Sequence, residues 1–188
     1  MRLYQRAACL CGLLFSIVAF GGPVTNLIQN SGFETGAANW TFTGSAYVDT
    51  HDPGLARTGM FMGFVNSFAP AMGTISQDVP TTPGQDYYVE FWLAQNGSAN
   101  ASVDVTFDGV SIASLYVDGA IPVGPNYQKF SGTVKASSSV SEFVFSAHTV
   151  NQTIFLEDVL VSAVVPEPGT LALLAFGLVG LGYSRRKQ

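Results

Sequence analysis

Along residues 24–165 the apolar side chains recur at every second position, not at the three-and-four spacing of an amphipathic helix. Tyr87, Val89, Phe91 and Leu93 fall on one side of an extended chain, with Tyr88, Glu90 and Trp92 on the other. Val103, Val105 and Phe107 alternate with Asp104, Thr106 and Asp108; Phe143, Phe145 and Ala147 alternate with Glu142 and Ser146. Period-two patterning predicts half-buried strands. Further strands are predicted over 24–29, 40–49, 60–66, 73–79, 110–117, 127–135 and 153–164. Turn pairs separate them at Pro83-Gly84, Asp108-Gly109, Asp118-Gly119 and Gly124-Pro125. Asp108-Gly109 between two alternating runs predicts a tight hairpin. About ten short strands without a helical segment predict an all-β fold, an antiparallel β-sandwich.

The two ends break this pattern. Arg2 and Arg6 precede an apolar run from Ala7 to Phe20, with small residues at its exit, Ala19 and Gly21. Charge, length and exit residues predict a secretory signal peptide over 1–22. At the other end, Pro166 and Pro168 stiffen Val165–Gly169 into an extended linker. Leu171–Tyr183 is then apolar and predicted helical, and Arg185, Arg186 and Lys187 follow it. Thirteen helical residues reach only about 20 Å, short of the roughly 30 Å hydrocarbon core. The basic cluster predicts a cytoplasmic end, which places the preceding domain on the outer side, transiently held at the membrane by the helix. Three segments result: 1–22, the β-domain 24–165, and the tail 165–188.

Removing the ends changes the charge picture. The whole chain carries a formal charge of −5. Segment 24–165 keeps only Arg57, Lys129 and Lys135 against twelve acids, a formal charge of −9. Nucleic acid is excluded as a partner for such a surface, because phosphate contacts need a basic patch. Both cysteines, Cys9 and Cys11, lie in the N-terminal apolar run, so the β-domain has no disulfide and no thiolate metal site.

The order Pro166-Glu167-Pro168, apolar helix, Arg185-Arg186-Lys187 resembles the PEP-CTERM sorting signal of Gram-negative bacteria. That resemblance implies processing by a membrane protease-transferase, exosortase. It also implies delivery to the cell surface or matrix of a host that makes exopolysaccharide. The stretch Asn26 to Gly36, followed by Trp40, resembles the opening of jelly-roll carbohydrate-binding modules. Ile75–Val79, Tyr127–Phe130 and Phe155–Val159 agree with it. This second resemblance implies a jelly-roll sandwich and a calcium ion held by the acid of the opening motif and an acid of the final strand, Glu34 and Asp158, with Glu157 beside the latter.

The residues make their own case for a cation. Glu157 shares strand parity with Phe155 and Val159, and Asp158 with Leu156 and Leu160, so a regular strand buries one of the two carboxylates. An unpaired buried carboxylate is costly, and Ca²⁺ with oxygen ligands relieves it; a bulge that keeps both acids wet is the alternative. Tyr88, Trp92 and Tyr116 are candidate platforms for sugar rings, although tryptophans in a sandwich are more often core. No nucleophile elbow, zinc-protease motif or phosphate loop is present, and Asp49-Thr50-His51-Asp52 reads as a polar turn. The expected role is therefore non-catalytic: an exported β-domain that binds or associates with exopolysaccharide. A purely adhesive matrix protein with protein partners is the first rival, and a small glycan hydrolase the second.

Overall fold

A computed structural model describes residues 25–66, 72–97, 101–117, 122, 124–149 and 152–165, with backbone alone for Tyr116 and Val117. The Asp108-Gly109 turn forms as its sequence predicts. Both residues have positive φ, 53° and 73°, as a two-residue hairpin turn of matching twist requires. It joins β6 (Ala101–Phe107) to β7 (Val110–Val117). The other described strands are β1 (Thr41–Thr43), β2 (Ala46–Asp49), β3 (Met62–Asn66), β4 (Gly73–Pro80), β5 (Asp86–Asn96), β8 (Gln128–Lys135), β9 (Val140–Thr149) and β10 (Thr153–Ala163).

They form two five-stranded antiparallel sheets. The first has the order β1-β4-β9-β6-β7 and the second β2-β3-β10-β5-β8. Alternate residues of both face a common core, where Phe91, Phe107, Phe143, Phe145, Ile75 and Leu156 have no solvent exposure. Phe33 enters this core from the opening loop and stacks on Trp40, ring centroids 4.9 Å apart; Trp40 meets Phe143 edge-on at 6.1 Å. Trp40 is thus a core residue, its indole N–H donating to the Asn30 carbonyl at 2.9 Å.

Two predicted strands differ. Segment 40–49 is broken at Gly44, whose φ is +63°, into β1 and β2 in different sheets. A Cβ there would collide with the backbone of Met72. Segment 24–29 forms no strand over its described part, because the Asn26 side chain does a strand's work. Its amide donates to Val159 O at 2.9 Å, and its carbonyl accepts from Val161 N at 3.0 Å and Ile28 N at 3.0 Å.

The chain divides into two units, Val24–Val164 and the two termini Met1–Pro23 with Val165–Gln188. The predicted signal peptide and Pro166, Glu167, Pro168, Arg185, Arg186 and Lys187 lie outside the described residues, as do the predicted helix 171–183 and the turn at Asp118-Gly119. Among the described residues no helix is long and apolar enough to cross a membrane.

Candidate functional site

Two places stand out: a nest of carboxylates where β10 bulges, and the outer faces of the two sheets. In β10 the register to β5 shifts between Glu157 and Leu160, and Asp158 takes a positive φ of 46°. The bulge turns both acids away from the core. Glu157 lies opposite Trp92 on the outer face of the second sheet, yet it has no solvent exposure. The bulge therefore does not keep both acids wet. The cover is the loop between β2 and β3, which brings Arg57 and Thr58 over the acids.

Neither carboxylate oxygen of Glu157 has a hydrogen-bond partner. Burial pushes its pKa from the usual 4.5 up to about 9, helped by the negative charges of Asp158 and Glu34. The Arg57 backbone N–H lies near enough to oppose that shift, but it does not reach hydrogen-bond geometry. Asp158 is better served: Thr58 Oγ1 donates to Oδ1 at 2.8 Å and the Arg57 guanidinium pairs with Oδ2. Glu34 Oε1 accepts the backbone N–H groups of Met60 and Phe61 at 2.9 and 3.0 Å, clamping the opening loop to the strand entrance. Gly59, with φ of +66°, makes room for it, since a Cβ there would collide with the Glu34 carboxylate.

Gly32 completes the nest. A Cβ built there would lie 3.3 Å from Asp158 Oδ1, 3.7 Å from Thr58 Oγ1 and 3.8 Å from Glu157 Oε2. Three oxygens of three residues thus surround one small space beside a glycine. Among the described residues no three His, Cys, Asp or Glu side chains gather tightly enough to form a metal site by themselves. The nest is an oxygen set of mixed kind, two carboxylates and a hydroxyl, with Glu34 at its margin. The sequence pointed to Glu34, Glu157 and Asp158 but missed Arg57 and Thr58. The available signal was that Arg57 is the sole arginine of segment 24–165.

The two outer faces differ sharply. On the second sheet, Met62, Phe64, Ala94 and Phe155 form an apolar cluster covered by Leu55, Ala56 and Tyr127, whose hydroxyl donates to Leu55 O at 3.0 Å. Trp92 lies on this face with the Arg57 guanidinium carbon 3.6 Å from its ring centroid, so one side of the indole is taken. Tyr88, also on this face, is half-buried and donates to Glu90 Oε2 at 2.7 Å. Tyr116 sits opposite Ser102 in β7, on the other sheet; its side chain lies outside the described residues. The structure does not bring the three predicted aromatics together.

On the first sheet the outer face is open and mostly polar, with Val144 and the exposed Met72 among its apolar members. Register places Thr43, Thr74, Ser146, Asp104 and Ser114 in one row across all five strands. Four inter-strand steps make that row about 19 Å long. Ser102 and His148 flank it on one side; on the other the row runs Thr41, Ser76, Val144 and Thr106, with Ser76 buried. A cavity of about 330 Å³ lies at one end, lined by Gln29, Asn39, Thr41, Ser76, Asp78 and Glu142 among others, and one of about 290 Å³ lies over Asp104, Ser114, Ser146 and His148. His51 is 93% exposed in a turn, its N–H donating to Asp49 at 2.7 Å, which is the polar turn its sequence predicts.

Residues 164–187 match the PEP-CTERM protein-sorting motif. No curated protein matches the chain. Its fold is shared with solved carbohydrate-binding modules. The TmCBM61 module, solved with beta-1,4-galactotriose, is 20% identical over 74% of this chain and 99% of its own, with a TM-score of 0.59. The CBM22-1 xylan-binding domain of Paenibacillus barcinonensis Xyn10C is 17% identical over 78% of this chain and 99% of its own, with a TM-score of 0.55. The fold also occurs within enzyme chains, as in the MgGH51 α-L-arabinofuranosidase, where 15% identity covers 77% of this chain and 27% of that one at a TM-score of 0.55. The β-domain therefore has the all-β jelly-roll sandwich expected from its sequence, followed by the sorting motif at the C-terminus.

Proposed function

We propose that this is an exported, non-catalytic glycan-binding protein whose tail is processed by exosortase and whose domain binds exopolysaccharide at the host's surface. The observation that carries the binding reading is the open outer face of the first sheet. It offers hydroxyl, carboxamide and carboxylate groups over two cavities, where a sugar chain finds hydrogen-bond partners without displacing any packed loop. The corresponding face of the second sheet is covered.

Charge narrows the glycan class. Arg57 pairs with Asp158, Lys129 with Glu90 and Lys135 with Asp86, all on the side of the second sheet. The open face holds Asp78, Asp104 and Glu142 and no lysine or arginine among the described residues. A polyanionic glycan is repelled there, so the ligand is neutral or amine-bearing.

The nest around Glu157 fits calcium. A fully buried carboxylate with two unbonded oxygens needs a proton or a cation, and Ca²⁺ accepts mixed carboxylate, hydroxyl and carbonyl oxygens. Glu157 and Asp158 would hold it, with Thr58 beside them and Glu34 completing the negative field. Its role is structural: it neutralises the buried acid and ties the opening loop to β10.

Affinity electrophoresis against the host's own exopolysaccharide, with calcium and with chelator, tests the binding reading. Retention is expected; no retention in either condition favours a purely adhesive protein. Mass spectrometry of the extracellular form tests processing, and a chain still ending at Gln188 would sink it.

A further inference from the structure

Asp158 already has a cation. The Arg57 guanidinium pairs with Oδ2 and stacks on Trp92 at 3.6 Å, while neither oxygen of Glu157, one residue away, has a hydrogen-bond partner. The Asp158–Arg57 pair is largely shielded, their side chains being 24% and 30% exposed, so water screens it only partly. A divalent ion held by Glu157 and Asp158 would stand beside the guanidinium. Like charges that close, in a half-buried place, repel strongly.

Pairing with β5 on both sides of the bulge holds the backbone of the two acids in place. Arg57 is freer. It lies in the loop between β2 and β3, outside any strand, and its described side-chain interactions are the Asp158 pair and the Trp92 ring. Asp158 also keeps its Thr58 bond through the other oxygen, so loss of Arg57 does not strip it of partners.

We propose that Arg57 is an internal competitor of calcium. Without metal the guanidinium holds Asp158 and covers the Trp92 indole; calcium drives it from both. Arg57 thereby sets the calcium concentration at which the nest fills, and Trp92 reports the exchange. The inference rests on the calcium reading above. By linkage, the pair weakens calcium binding by the same factor by which calcium weakens the pair.

The test uses the full-length chain, with calcium binding measured by calorimetry and Trp emission followed in parallel. Arg57→Met should bind calcium at least about tenfold more tightly than the natural chain. Its emission in chelator should already resemble that of the calcium-loaded natural chain. Arg57→Lys, which keeps the charge but not the planar stack, should fall between them; it also serves if the Met variant does not fold. Trp92→Phe should remove most of the calcium-dependent emission change while leaving calorimetric binding in place; any remainder comes from Trp40, which stacks on Phe33 of the opening loop. Equal calcium affinity in the Met, Lys and natural chains overturns the proposal while leaving calcium itself standing. A natural chain that binds calcium with no change in Trp emission also overturns it. No calorimetric binding by any chain overturns the calcium reading, and this inference with it.

Discussion

Glu157→Gln separates charge from shape at the buried acid. In the metal-free chain burial pushes the Glu157 pKa up to about 9, against 4.5 for an ordinary glutamate. The folded pKa is raised, so the folded state holds a proton that the unfolded state has lost. Stability is then full below about pH 4.5 and falls as pH rises through the window up to about 9. One proton difference gives a slope of about 1.4 kcal/mol per pH unit, so the loss between pH 5 and pH 8 is roughly 4 kcal/mol. That is a large share of the stability of a domain this size. The substituted glutamine keeps the volume and cannot ionise. Urea unfolding in chelator at pH 5, 6, 7 and 8 should show a falling midpoint for the natural chain and a nearly flat one for the variant. The variant should be the more stable of the two at pH 8. Calcium should remove most of the natural chain's slope, because the ion takes the place of the proton. A natural chain whose midpoint in chelator is level from pH 5 to pH 8 would refute the buried, unpaired carboxylate.

Four further outcomes are expected. Gly63→Ala places a Cβ 2.6 Å from Phe33 Cζ and should destabilise the fold by about 1–3 kcal/mol, read by urea unfolding, with glycan retention intact at low temperature. Ser146→Arg, at the middle of the hydroxyl row, should weaken glycan retention at least about tenfold, or about 1.4 kcal/mol, while Tyr88→Ala on the opposite sheet leaves it unchanged. Asp108→Asn keeps the turn but weakens the carboxylate's bonds to Ser137, which lower the Asp108 pKa; the stability it loses should show above pH 4 and vanish as the medium is acidified through the folded pKa. Chelator should speed hydrogen exchange at Val159, Met60 and Phe61, whose N–H groups bond to Ser31 and Glu34, and leave β6 and β9 protected.

The strands were legible because alternation is a local signal: Val103 to Phe107 or Phe143 to Ala147 need no partner to show which side is apolar. The break at Gly44 was not, since it depends on Met72, far along the chain. Nor could alternation tell which of Glu157 and Asp158 is buried. The bulge shifts the parity, and the burial comes from a loop one hundred residues earlier in the chain. For the same reason Trp92 shows outward parity but not that Arg57 lies on it. Face and cover are separate properties, and the sequence pattern carries only the first.

The opening motif binds these parts into one device. Asn26 replaces a strand's backbone bonds with its side chain, Phe33 enters the core, Gly32 leaves space for three oxygens, and Glu34 clamps the start of β3. Four roles within nine residues mean that the loop closing the sandwich is also the wall of the carboxylate nest. Opening the nest to water from the Gly32 side would therefore pull Phe33 from Trp40. The fold holds the acid in place through its own core packing, so on the calcium reading proposed above a cation in the nest would serve domain stability more than ligand recognition.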